Sequence, residues 1–535
     1  MDIKKEIINF LNNKKGIISF YLLLDMLLLG LNILNPYLSG NYVNILIKSA
    51  TYEDVIRYTV YIIVMGAINV IIYYALRMIQ IRLTTSLQHV IECKYINHMK
   101  EKKLSFLQMS NSMYLVQKVH QSAVIIVAFG VYILELLIKG IQFIVLSGML
   151  LSINREICVF LLLLLPSYII SYFMIKKYIY KSSYDVQKQN NILYNEINQQ
   201  IEQLKFIKSA SKYRYFDTRL EDEYNKYINN ILINNNYTNI FLSISLIINK
   251  SAMAIVFLIG GLKIVGRHLD IGSFTIIMSY FVAIMDCIKT FFLFTNEYER
   301  YNAAKKRLAE ISDIPNEEDG YEKCGNIESI KICNMNYKIK DRMLIDGFNF
   351  QFKKGNIYLL KGKNGTGKST FVDILLGLNA EYTGTVLFNN ANIRTLNMKK
   401  IREDTITIFL QEPYLFTGTL LENICLDENI IEEEVEALIE KMGWEGIINE
   451  KGLYYEVNER ASNFSGGEKQ KIALLRTLLR KTSVIILDEP TSWMDTDGYS
   501  KLLEYLVAIK LDKIILVISH ERKFETVADR IIEFG

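Results

Sequence analysis

Two stretches of nineteen residues carry no charge, Tyr58–Leu76 and Ile157–Ile175. The second contains the run ICVFLLLLLPSYII. About 20 apolar residues in a helix span the hydrocarbon core of a bilayer, and few soluble folds can bury such a segment. Four further apolar segments accompany them: Ile17–Tyr42, Ser122–Ile153, Tyr237–Val265 and Ile271–Thr295. Six membrane-spanning helices are therefore expected, in preference to the buried core helices of a soluble protein. The chain is 50% hydrophobic overall. That apolar content is concentrated before about residue 300 and charge rises after it, so a soluble domain should follow the membrane domain.

Basic residues set the expected orientation. Lys4, Lys5, Lys14 and Lys15 precede the first span. Arg82, Lys94, Lys100, Lys102 and Lys103 follow the second, and Lys176, Lys177, Lys181 and Lys188 open a long basic stretch after the fourth. The opposite loops hold little basic charge, with Lys48, Arg155 and Arg267 among it. The expectation is a multi-pass protein of the plasma membrane with N-terminus and C-terminal domain in the cytosol. The N-terminus shows no cleavable signal peptide. Residues 82–120 and 176–236 lack proline and glycine. They should be helices that continue out of the membrane, with tips near Gln108–Val119 and Ala210–Leu220. A net charge of +4 gives no reason to expect nucleic acid as a partner. The six cysteines form no CxxC pair, and reduced thiols without a metal are expected.

Asp25, Glu135, Lys139, Lys250, Asp286 and Lys289 fall inside the spans. Each costs about 2.5–3.5 kcal/mol at a helix centre, so each should face protein or water. Glu135 with Lys139, and Asp286 with Lys289, have the spacing for pairs on one helix face. Two readings stay open: pairing for insertion and packing, or the wall of a polar translocation cavity.

The soluble half carries phosphate chemistry. Gly362–Ser369 reads GKNGTGKS, between the strand-like NIYLL and the helix-like STFVDILLG. This is a P-loop in its required context. Gly362, Gly365 and Gly367 let backbone N–H groups wrap phosphates, Lys368 reaches the β- and γ-phosphates, and Ser369 suits Mg²⁺. Lys363, Asn364, Thr366 and Thr370 complete the expected nucleotide-binding set. SVIILDEPTS places four apolar residues before Asp488, a metal-holding carboxylate, and Glu489, which would orient or activate an attacking water. SNFSGGEKQKIALLRTLLR begins at Ser462, and its Ser465, Gly466 and Gly467 open a helix whose free N–H groups form an anion site.

Together these motifs resemble those of an ATP-binding cassette exporter half-transporter of the bacterial peptide (bacteriocin) or multidrug type. The resemblance covers nearly all of the chain. FSGGEKQK is similar to that family's signature motif, with Phe464 and Glu468 at changed positions. Tyr337 resembles the aromatic that stacks on adenine. Gln411 resembles the Q-loop glutamine that reaches Mg²⁺ and water. Glu459 resembles an acid that meets a coupling helix, with Asn458 and Ala461 where the family has glycines. Asp495, in SWMD, resembles the D-loop aspartate, and His520 the switch histidine. The tips at residues 110–118 and 210–220 correspond in position to the family's coupling helices.

The expected fold class is a six-helix all-α membrane domain followed by an α/β P-loop ATPase. The expected division is residues 1–305, a linker at 306–325 and the ATPase at 326–535. The resemblance implies ATP and Mg²⁺ as cofactors and Glu489, His520 and Gln411 as catalytic residues, with Ser369, Gln411 and Asp488 around the metal. The implied partners are a second half-transporter, a homodimer being favoured over a heterodimer, and the lipid bilayer. The cargo would be an exported peptide or amphiphile. The alternatives are a lipid or multidrug flippase and an ATP-regulated channel or sensor.

Overall fold

The computed structural model describes residues 3–48, 51–108, 112–339, 342–426, 430–446, 452–491, 494 and 496–534. The chain divides into two compact units, Met1–Met99 with Met113–Asp313, and Lys100–Ser112 with Ile314–Gly535.

Six helices of the first unit are long and apolar enough to cross a membrane. They are α2 (Lys15–Ile47), α3 (Tyr52–Met99), α5 (Ser112–Ile153), α6 (Arg155–Glu202), α8 (Tyr213–Val265) and α9 (Ile271–Ser312). A short α1 (Ile3–Asn13) precedes them and α7 (Leu204–Ala210) joins α6 to α8. All six expected spans lie on these helices, which continue well past the apolar segments. With 53 residues, α8 is about 80 Å long. The turn into α8 falls at Ser211, whose φ of 51° is left-handed.

Close approach sets the packing of α2 on α9. A Cβ on Gly272 would overlap the Gly40 carbonyl, and one on Gly40 would overlap Ile276. The Gly272 N–H donates to Asn44 Oδ1 at 2.7 Å. The Tyr280 hydroxyl, fully buried, donates to the Ile33 carbonyl at 3.0 Å. Leu146, Ile157, Val256 and Ile277 fill the core beside them. A second core joins α3, α5 and α9 through Tyr95, Val119, Ile126 and Leu308.

In the second unit, α4 (Leu104–Gln108) and its flanks pack with the segment leading into the ATPase. The Lys102 ammonium, 5% exposed, donates to the Ile314 carbonyl at 2.6 Å, and Lys103 pairs with Glu318 at 2.6 Å. The expected tip at Gln108–Val119 includes residues 109–111, which lie outside the described residues.

Two main sheets carry the ATPase, beside a two-stranded pair of β7 (Gly418–Thr419) and β8 (Glu456–Val457). The antiparallel one is ordered β2-β1-β4-β5: Arg342–Lys353, Ser329–Ile339, Thr383–Phe388 and Ala391–Asn392. The parallel one is ordered β11-β3-β10-β9-β6: Arg530–Glu533, Asn356–Lys361, Ile514–Ile518, Val484–Asp488 and Ile406–Phe409. Central β9 and β10 read VIILD and IILVI, continuous apolar runs of the kind a sheet covered on both faces requires. One layer packs α10 (Lys368–Leu375) through Phe371 and Ile374 against Ile332, Phe352 and Phe388.

Candidate nucleotide-binding and catalytic site

Three parallel strands end at the site. β3 runs into the P-loop, β9 ends in Asp488, and β10 ends two residues before His520. Gly365 (φ 79°) and Gly367 (φ 96°) take left-handed conformations that a side chain would strain. The Lys368 ammonium folds back onto the loop, donating to the Gly362 carbonyl at 2.5 Å and to that of Lys363 at 3.2 Å. Thr366 also donates to the Lys363 carbonyl, at 2.9 Å. Lys363, Asn364 and Ser369 are exposed, and Thr370 lies in the first turn of α10.

Asp488 pairs in register with Ile518 across the sheet. Burial and the neighbouring Glu489 push its carboxyl up to about 6, against the pull of Lys368. Glu489 is left-handed, with φ 49°. Such a conformation costs a non-glycine residue on the order of 1–3 kcal/mol. Its N–H donates to the Ile518 carbonyl at 2.9 Å, which fixes the turn. Gln411 Nε2 donates to Glu489 Oε2 at 3.0 Å, and His520 Nε2 lies 4.0 Å from Glu489 Oε1. The three expected catalytic residues therefore converge, although they come from three separate segments.

Mg²⁺ and ATP fit this donor set. A partly buried carboxylate, Asp488, lies within electrostatic reach of the P-loop lysine, and the exposed Ser369 hydroxyl follows that lysine. Left alone, Asp488 holds its proton well above the ordinary range, a condition that a divalent cation relieves.

Ser465 and Glu468 form a capping box at the start of α11 (Gly466–Leu479). The Ser465 N–H donates to Glu468 Oε2 at 2.7 Å and the Glu468 N–H to Ser465 Oγ at 3.3 Å. The sequence pattern S-x-x-E signals this arrangement. It gives Glu468 a structural role that family resemblance alone did not supply. Just before it, Arg460 (φ 54°) and Ala461 (φ 48°) are both left-handed, where glycine is favoured. The Arg460 carbonyl accepts from Lys469 Nζ at 3.0 Å.

Tyr337 does not present an open ring. It is 9% exposed in the core between β1, β2 and α10, and its hydroxyl accepts from Asn379 Nδ2 at 3.1 Å. Stacking on a base requires this ring to leave that packing. Ser492, Trp493 and Asp495 lie outside the described residues.

In the membrane unit the expected intrahelical pairs are replaced by one across helices. Lys139 on α5 binds Asp286 on α9 at 2.6 Å. Helix rotation brings these two together, and spacing along one helix could not reveal it. Asp25 on α2, Arg77 on α3 and Glu135 on α5 lie within electrostatic reach of one another, beside Tyr21. Arg77 donates to the Tyr73 hydroxyl at 3.1 Å and to Gln80 Oε1 at 3.0 Å. Four membrane helices thus contribute to one ionisable seam, and Arg77, Glu135 and Asp286 remain exposed on it.

Comparison with known proteins gives matches along most of the chain. The family model "ABC transporter transmembrane region" matches residues 18–287, half of the chain, and the model "ABC transporter" matches residues 345–492. The lactococcin-A transport/processing ATP-binding protein LcnC of Lactococcus lactis subsp. lactis is 24% identical over 536 residues, covering 98% of this chain and 74% of that protein. An ATP-dependent lipid A-core flippase of Pasteurella multocida is 28% identical over 297 residues, 54% of this chain and 51% of the flippase. The structure of a bacterial Atm1-family ABC exporter with ATP bound superposes with a TM-score of 0.83 at 16% identity, over 98% of this chain and 94% of that one. This last likeness establishes a shared fold.

Proposed function

Because the chain belongs to the ABC transporter family, with membrane region and ATPase in one polypeptide, we propose that it exports a charged peptide or peptide-like amphiphile as a dimer of two such chains. The catalytic part rests on the meeting of Gln411, Glu489 and His520 beside the P-loop. Mg²⁺-bound ATP supplies the transferable phosphoryl group and the positive charge that offsets its oxygens. The P-loop N–H groups and Lys368 would hold the phosphates, and Ser369, Asp488 and Gln411 would hold the metal. Glu489, oriented by Gln411, would align water for attack, and His520 would reach the γ-phosphate. Ser465, Gly466 and Gly467 of one chain would close over the P-loop of the other.

The ionisable seam favours a peptide over a purely hydrocarbon cargo. Charges in a membrane helix are tolerated where water or polar cargo meets them. The lactococcin relative carries a peptide in its name, which supports the same reading. The protein would sit in the plasma membrane with its N-terminus and ATPase in the cytosol, a reading that the distribution of basic residues supports.

The test is uptake into inside-out proteoliposomes of a fluorescein-labelled bacteriocin peptide and, separately, a fluorescent lipid A analogue. ATP-dependent uptake of the peptide, lost in Glu489→Gln, is expected. Movement of the lipid alone would replace the peptide reading with a flippase. Movement of neither, with ATP hydrolysis intact, would reject both cargoes.

A further inference from the structure

A groove of about 530 Å³ lies between α6 and α8, outside the ionisable seam. Its walls are apolar: Ile170 and Met174 of α6 face Ile240, Ile244 and Ile248 of α8. The hydroxyls of Ser167 and Ser171 also line it, but both donate to carbonyls of their own helix. They therefore offer no unsatisfied donor to a ligand. At one end the rings of Tyr178 and Tyr237 stack across the two helices, 5.4 Å apart. Tyrosines at such a position mark the membrane–water interface. From Tyr178 back to Ser167 the helix rises about 16 Å, close to the depth of one leaflet of a hydrocarbon core roughly 30 Å thick.

Beyond the tyrosine pair the same face of α6 turns basic. Ile170, Met174, Lys177 and Lys181 recur at helical spacing, so both lysines continue the line of the groove. Both are exposed, and neither enters an ion pair among the described residues. Lys176, one residue away, sits 5.8 Å over the ring of Tyr172, adding positive charge at the same level. A slot one leaflet deep, apolar within and basic at its aqueous end, is complementary to an anionic phospholipid.

We propose that this groove binds a phospholipid of the basic-side leaflet, one acyl chain along α6 and α8 and its phosphate on Lys177 and Lys181. The lipid is a bound ligand of the membrane unit, separate from the cargo. Each lysine near an anionic surface contributes about fivefold in binding, so the pair contributes roughly twenty-fivefold.

The test uses the full chain purified in detergent and titrated with palmitoyl-oleoyl phosphatidylglycerol or the matching phosphatidylcholine. Retained lipids are counted by native mass spectrometry. Phosphatidylglycerol should bind at least tenfold tighter. The double change Lys177→Gln with Lys181→Gln should abolish that preference while ATP hydrolysis in phosphatidylcholine nanodiscs stays unchanged. Ile170→Trp, at an exposed position that projects into the groove, should weaken both lipids. Equal affinity for the two lipids, or a preference that survives loss of both lysines, would overturn the proposal. Lipid binding unaffected by Ile170→Trp would also overturn it, because the lipid then lies elsewhere. A Met174→Cys chain that cross-links to a second copy in nanodiscs would overturn it in favour of a protein occupant.

Discussion

Gln411 Nε2 donates to Glu489 Oε2 at 3.0 Å, across 78 residues of sequence. The bond ties the loop after β6 to the carboxylate of the residue that follows β9. Glu489 is held from one side by this amide and from the other by its own N–H to Ile518. Its carboxylate is thus aimed by two strands, even though its backbone is strained.

Glu489→Gln keeps the shape and removes the charge. ATP binding should persist while steady-state hydrolysis falls at least about tenfold, toward the 10²–10⁴ that a general base contributes. Gln411→Ala should lower hydrolysis less and leave ATP affinity within a few-fold. Near-normal turnover in purified Glu489→Gln protein would remove Glu489 from this role.

Asp488 titrates at about 6, above its ordinary 3.8. Its ionised form is the one that receives Mg²⁺, so hydrolysis should fall as pH drops through 6. Excess Mg²⁺ should move that midpoint lower, because the cation favours the carboxylate. The stability effect has the opposite sign. The folded value lies above the unfolded one, so the folded state binds the proton more tightly. The charge on Asp488 costs stability above about pH 6, and that cost is relieved as pH falls from 6 toward 4. Asp488→Asn should therefore raise the Tm of the metal-free protein at pH 7.5. A lower Tm in that variant would contradict the assignment.

Lys139 and Asp286 join α5 to α9 through the membrane unit. Lys139→Met or Asp286→Asn alone should alter substrate-stimulated hydrolysis and leave basal hydrolysis largely intact. The exchanged pair, Lys139→Asp with Asp286→Lys, should recover expression, because the bridge can reform. If the pair faces cargo, stimulation by a cationic peptide should stay altered in the exchanged protein. Complete recovery of the stimulation ratio would assign the pair to packing alone.

Arg460 is exposed and left-handed, a conformation that costs an L-residue roughly 1–2 kcal/mol. Arg460→Gly removes that cost without opening a cavity. The ATPase unit should gain about 1 kcal/mol, a rise of roughly 2–4 °C in its unfolding midpoint by calorimetry. An unchanged or lower midpoint would mean that the loop relaxes by another route.

A Lys368→Ala chain paired with a Ser465→Ala chain, both carrying Glu489→Gln, tests whether each site is shared between chains. If P-loop and signature meet in trans, both lesions fall in one site and the other stays intact. Isolated mixed dimers should then occlude about one ATP, half of the two that two P-loops hold. Each mutant homodimer is measured alongside, because strict cooperativity between sites would also lower the yield. Ser465→Thr preserves the helix cap and separates loss of the cap from loss of the phosphate contact. Robust occlusion in the Ser465→Ala homodimer would remove the signature role.

The amino-acid sequence determined the features that depend on neighbouring residues alone. An apolar run such as Tyr58–Leu76 has one favourable fate in a bilayer, since every backbone polar group must be satisfied within its helix. GKNGTGKS folds into a phosphate cradle because its own glycines permit the turn. The tertiary structure decided the relationships that span distance. Lys139 meets Asp286, 147 residues away, instead of pairing with Glu135 on its own helix. Lys100–Ser112 joins the ATPase unit, although it lies between two membrane helices in the chain. Tyr337 turns inward to Asn379, because the alternation of β1 points it the same way as buried Met335. Periodicity along a segment fixes which residues share a face. The rotation of that face toward a neighbour is set only when helices and sheets pack, through contacts such as Gly40 against Gly272.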